Sequence, residues 1–174
     1  MDKTAFIANV GDSRAVLSSY NGVVVSDLSR DHKPGDKTEE RRIVLNGGEV
    51  YQTHTLTKVQ GANGKVRMIP LYGPYRVFPG RLSVSRAFGD IEAKQSKFGG
   101  NPRVLICKPD IETLDLGRED LDFILLGCDG IFEKLTSRLA VEALWKGLRA
   151  SKGRSFGMDE RRYSPVDEPE QPES

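Results

Sequence analysis

Apolar positions along this chain come in short runs divided by glycine and asparagine turns, and only one late segment carries a long helical stripe. Thr4 to Val10 is apolar and β-compatible, Gly11-Asp12-Ser13 interrupts it, and Arg14 to Ser19 resumes the pattern. Asn21-Gly22 then lies between two β-rich runs. That is a hairpin signal, because both residues tolerate the positive φ of tight hairpin turns. With Val23 to Val25 continuing, Thr4 to Leu28 is expected to form three antiparallel strands. Lys37 to Leu45 predicts a short helix packed through Ile43 and Val44 and stopped by Gly47-Gly48.

Glu49 to Thr53 and His54 to Val59 read as extended, and Asn63-Gly64 is a second hairpin signal answered by Val66 to Leu71. Two prolines and two glycines predict a loop over Tyr72 to Gly80. Leu82 to Phe88 is too short for its period to separate helix from strand. Phe98 to Pro102 reads as a loop, Val104 to Cys107 and Ile111 to Leu116 as strands, and Asp122 to Cys128 as a buried strand. Thr136 or Ser137 can cap a final helix, in which Val141, Leu144, Trp145 and Leu148 share one face.

Composition narrows the class. Of the 174 residues, 29% are charged and 37% hydrophobic, which suits a globular domain. A net charge of +1 lacks the basic excess of a nucleic-acid binder. The longest apolar run, Phe123 to Leu126, is too short to span a bilayer. Met1-Asp2-Lys3-Thr4 shows no signal-peptide pattern, no Asn-x-Ser/Thr sequon occurs, and Cys107 and Cys128 make neither a disulfide framework nor a zinc cluster. An intracellular chain, cytoplasmic or nuclear, with reduced and mostly buried thiols is expected. Residues 1–150 are assigned to one domain, and 151–174, rich in acid and proline, to a disordered acidic tail.

Asp12 and Asp129 stand at the ends of predicted strands beside glycines. Carboxylates so held suit a hard divalent cation, though taken alone they fit better the common turns in which Asp bonds its own backbone. Arg14, Arg81 and Arg86 could grip a phosphoryl group through paired N–H donors, or form surface ion pairs. His32, followed by Lys33-Pro34, fits a turn-stabilising group better than a base. His54 has no ligand spacing, and Ser83 and Ser85 have no histidine at a telling distance.

Five strings in order resemble the metal-dependent type 2C, or PPM, protein serine/threonine phosphatases. They are Ala8 to Arg14, Asp31 to Pro34, Glu39 to Ile43 closed by Gly47-Gly48, Gly80 to Asp90, and Leu126 to Phe132. The resemblance implies an α+β fold, a sandwich of two antiparallel sheets flanked by helices, here incomplete and comprising the central and later part. It implies phosphoserine and phosphothreonine proteins as substrates and two Mn2+ or Mg2+ ions that activate a water for direct attack on phosphorus. By the same resemblance Asp129 matches a metal ligand and Asp12 an aspartate of a further metal site. Asp90 and Arg86 belong to a motif read as structural, and no residue is assigned a direct catalytic role.

Three departures follow. The family's Asp-Gly-His-Gly motif does not occur before Gly11, no Asp-Asn pair follows Asp129, and Glu133 stands where the family usually has aspartate. Tyr51 to Phe78 is longer than the matching family segment and is expected to form an extra hairpin at the active-site edge. The chain is therefore expected to be inactive alone, as a shortened phosphatase; the alternative is a non-catalytic pseudophosphatase that binds proteins.

Overall fold

A computed structural model describes residues 3–61 and 63–151. The expectation of a disordered segment at 151–174 falls, from 152 onward, outside the described residues. The described chain is α+β and every strand pair is antiparallel.

β2 (Arg14–Ser19) is the central strand of a three-stranded sheet, between β3 (Val24–Asp27) and β7 (Leu121–Gly127). It is buried from Ala15 to Ser19, as a strand covered on both faces must be. The expected turn at Asn21-Gly22 joins β2 to β3. Asp122 holds it from β7, accepting from the Asn21 and Gly22 amides at 3.0 and 2.8 Å and from Ser18 Oγ at 2.8 Å. Gly22 has a φ of +88°, and a Cβ there would lie 2.6 Å from the Trp145 ring, so only glycine fits.

β1 (Thr4–Asn9) does not pair with β2, as the three-strand reading had it; it pairs with β6 (Asp110–Asp115). The Gly11-Asp12 turn, with Gly11 at φ +111°, carries the chain from one sheet to the other. Alternation marks a strand without naming its neighbour. A groove lined by Ile7, Asn9, Ala15 and Leu126 separates the two sheets.

α1 (Lys37–Leu45) matches its expected limits. Asp36 caps it, accepting from the Thr38 and Glu39 amides at 2.9 and 3.3 Å. Asp36→Ala is expected to cost about 1 kcal/mol, read as a lower urea midpoint at unchanged slope.

β4 (Glu49–Gln60) and β5 (Val66–Phe78) form a long hairpin, and among the described residues no other strand lies beside it. The loop expected over Tyr72 to Gly80 is strand as far as Phe78. Pro70 and Pro74 are tolerated because a two-stranded ribbon has an outer edge on which their missing N–H groups are not needed. Val104 to Cys107 is not a strand; it follows a turn on Asn101 and makes one parallel bridge, Ile106 to Arg86. Val104 and Leu105 are nevertheless fully buried, in a core with Ile43, Val77 and Ala93. Leu82 to Phe88, left open between helix and strand, is neither. α2 (Ile91–Lys94) and a 3-10 turn over Ser96–Phe98 follow.

β7 is less buried than expected, with Leu126 at 74% exposure. Phe6 on β1 and Ile111 on β6 are also exposed. α3 (Asp129–Phe132) follows β7 directly, and α4 (Ser137–Ser151) is capped by Thr136, whose Oγ accepts from the Leu139 amide at 3.3 Å. Of its predicted face Val141 is buried and Trp145 half-buried, whereas Leu144 and Leu148 are exposed. Both cysteines are free, but both are exposed rather than buried.

Candidate functional site

The site region is built on the Gly11-Asp12 turn, and His32 fixes that turn. Its Nδ1 accepts from the Gly11 amide at 3.1 Å, so Nε2 carries the ring proton and donates to Asp110 Oδ2 at 3.1 Å. The His32 amide donates back to the Gly11 carbonyl at 2.9 Å, and the His32 carbonyl accepts from the Ser85 amide at 2.8 Å. His32 is wholly buried. It is the turn-stabilising group its sequence context suggests, with no face free for proton transfer.

Behind it lies a buried ionic network. Arg86 donates through Nη2 to Glu39 Oε1 at 2.6 Å and through Nη1 to Asp110 Oδ1 at 2.7 Å. Arg42 Nη2 and Ser85 Oγ reach Glu39 Oε2 at 2.8 and 2.6 Å. Glu39 is 2% exposed. Burial alone would raise its pKa, but the hydrogen bonds from Arg86, Arg42 and Ser85 outweigh burial and bring it from 4.5 to about 2. Burial likewise works against the Asp110 carboxylate, and His32 and Arg86 more than offset it, so that pKa is also lowered. Arg86 is therefore structural, as its motif implies. Its donors are committed, which removes it as a phosphoryl clamp.

Arg14 is committed too. It makes a two-pronged pair with Asp31, 2.9 and 3.0 Å, and donates to Ser137 Oγ at 3.0 Å. Of the three candidate arginines, Arg81 alone has no carboxylate partner among the described residues.

Asp12 and Asp129 leave one sheet at the same end. In the β2–β7 pairing Arg14 faces Gly127, and each aspartate lies two residues beyond that pair, Asp12 in the turn before β2 and Asp129 at the start of α3. Adjacent strands thus lead the backbone of both residues to the same end of the sheet. Their local bonds differ. Asp12 forms an ion pair with Lys33 Nζ. Asp129 is exposed, and its Oδ1 accepts from the Gly130 amide at 2.7 Å, the bond of a turn aspartate.

Manganese and magnesium prefer several oxygen ligands. Among the described residues no three His, Cys, Asp or Glu side chains gather closely enough to hold a metal ion. The two carboxylates have the right donor chemistry but do not make a metal centre by themselves, and Lys33 already neutralises one of them.

Reading residues one at a time missed the acidic partners Asp31, Glu39 and Asp110. Glu39 was detectable: it lies four residues before Ile43, on the helix face that packs inward.

The order of these elements has known counterparts. A family model for protein phosphatase 2C matches residues 1–159. The chain belongs to the protein phosphatase 2C family. Probable protein phosphatase 2C 60 of Arabidopsis thaliana is 36% identical over 150 residues, covering 86% of this chain and 35% of that relative. Probable protein phosphatase 2C 2 of Paramecium tetraurelia is 39% identical over 133 residues, 76% of this chain and 36% of the relative. A crystal structure of a phosphatase from a pathogenic strain of Toxoplasma gondii superposes with a TM-score of 0.60 at 27% identity, over 87% of this chain and 40% of that one. The chain thus spans about a third of the length of the protein phosphatase 2C relatives it matches.

Proposed function

We propose that this chain contributes to a metal-dependent protein serine/threonine phosphatase acting on phosphoserine and phosphothreonine proteins, with Asp129 and Asp12 as its share of the Mn2+ or Mg2+ ligands. The family match supports this reading. So does the delivery of both aspartates to one end of the β2–β7 pair. Because no third donor joins them among the described residues, these 174 residues alone are expected to turn over no phosphopeptide. The cellular site proposed is cytoplasmic or nuclear.

A second reading is a non-catalytic protein-binding module, favoured by the Asp12–Lys33 ion pair occupying one candidate ligand. The purified chain, assayed with Mn2+ and a phosphothreonine peptide, separates the two. Manganese binding by calorimetry that is weak and falls further in Asp129→Asn supports the ligand role. Manganese binding unchanged in that variant would remove Asp129 from it. Turnover by the chain alone that Asp129→Asn abolishes would eliminate the binding-module reading.

A further inference from the structure

The β4–β5 ribbon is the least explained part of the molecule. Beyond the bulge at Gln52/His54 its residues are exposed on both faces, including Leu56, Val59, Val66, Met68, Ile69, Leu71 and Tyr72. Two-stranded ribbons are marginal unless something packs on them. An apolar exposure of this kind marks a contact surface.

The charge of this segment is one-sided. Residues 50–89 contain no aspartate or glutamate but carry Lys58, Lys65, Arg67, Arg76, Arg81 and Arg86. The whole chain is nearly neutral, with 26 basic and 25 acidic residues, so residues 50–89 concentrate positive charge that the rest of the chain balances. Arg86 is consumed by Glu39 and Asp110. The other five have no carboxylate partner among the described residues. At the ribbon base, Arg76 and Arg81 line a cleft of about 700 Å3 with Tyr51, Thr53, Phe78 and a single carboxylate, Glu49. Arg76 Nη1 donates to the Arg81 carbonyl at 2.8 Å, which fixes its guanidinium in the cleft while leaving its other donors free.

The two edges differ. β5 contains Pro70 and Pro74, whereas β4 from His54 to Gln60 has neither proline nor glycine. An unpaired edge with its N–H groups intact is a template for another strand. We propose that the β4 edge and the Arg76/Arg81 cleft together dock an extended, acidic polypeptide segment of a partner protein. The segment adds as a third strand along His54–Gln60, and the cleft takes one of its carboxylates. Opposite charge gives the attraction and the backbone ladder gives the register. An anionic membrane would use the same charges but has no use for a strand edge. This surface goes beyond the phosphatase reading and uses neither Asp12 nor Asp129.

The test uses the full chain and a fluorescent peptide of roughly twelve residues alternating glutamate and threonine, matched to the length of β4. Binding read by anisotropy is expected to weaken about tenfold or more in Arg76→Glu/Arg81→Glu. Hydrogen exchange is expected to slow at alternate amides of His54–Gln60, those not already bonded to β5. If the double variant fails to fold by circular dichroism, Lys58→Glu/Arg67→Glu on the exposed arm carries the same test. No binding, equal binding of a lysine-threonine peptide, or binding only to phosphatidylserine vesicles would each overturn the proposal.

Discussion

Arg86→Ala is expected to destabilise the chain by about 3–5 kcal/mol, because it strands the Glu39 carboxylate in a site where that residue is 2% exposed. Folded domains are typically stable by only about 5–15 kcal/mol, so the variant should be largely unfolded in mild urea. Arg86→Lys should rescue little, since a lysine cannot span Glu39 and Asp110 with a planar fork. The paired replacement Glu39→Leu/Arg86→Met removes charge and countercharge together and should lose less than Arg86→Ala alone. Equal urea midpoints for wild type and Arg86→Ala would rule out the network as a stabilising element.

The same network predicts an acid limit. The folded Glu39 pKa, about 2, lies below its ordinary 4.5, so the unfolded chain takes up the proton first as pH falls. The stability gained from this group, about 3 kcal/mol, is complete above pH 4.5 and declines as pH drops towards 2. In Glu39→Gln the slope of stability against pH over that window should be shallower.

Leu105→Ala is expected to cost about 2–5 kcal/mol, the range for a fully buried leucine whose cavity cannot collapse. Leu105 lies in a core drawn from α1, β5, α2 and its own irregular segment, so no single element can close over the void. Leu126→Ala is the matched control. Leu126 is 74% exposed, and its loss should stay within about 0.5 kcal/mol. Denaturant titration of the two variants decides the matter. Comparable losses would mean that the groove face of β7 that carries Leu126 is covered in solution, for instance by self-association.

The contrast between these leucines shows where residue patterns lose information. Asp122 to Cys128 reads as a buried strand, yet Leu126 is 74% exposed on the groove between the two sheets. Val104 to Cys107 reads as a strand, yet Val104 and Leu105 are buried without a strand ladder. Hydrophobicity reports a tendency to leave water. It does not report which neighbours are present to exclude water, and on β7 those neighbours are not among the described residues. The candidate site was legible to a similar depth. Asp12 and Asp129 could be picked out as strand-end carboxylates, but the Lys33 pair and the Gly130 bond could not, because both depend on turn geometry.

Local chemistry in the sequence was enough to set the limits of α1, the two Asn-Gly hairpins, the final helix after Thr136, and the ordered motifs that place the chain among the protein phosphatases 2C. These features depend on neighbours a few residues apart, whose preferences are written in the chain. Tertiary structure alone decided that β1 pairs with β6, that Glu39, Arg86, Asp110 and His32 converge behind the Gly11 turn, and that Arg81 has no carboxylate partner among the described residues. Such contacts join residues tens of positions apart. Their energies depend on burial and on the simultaneous presence of several partners, which no short window of sequence contains.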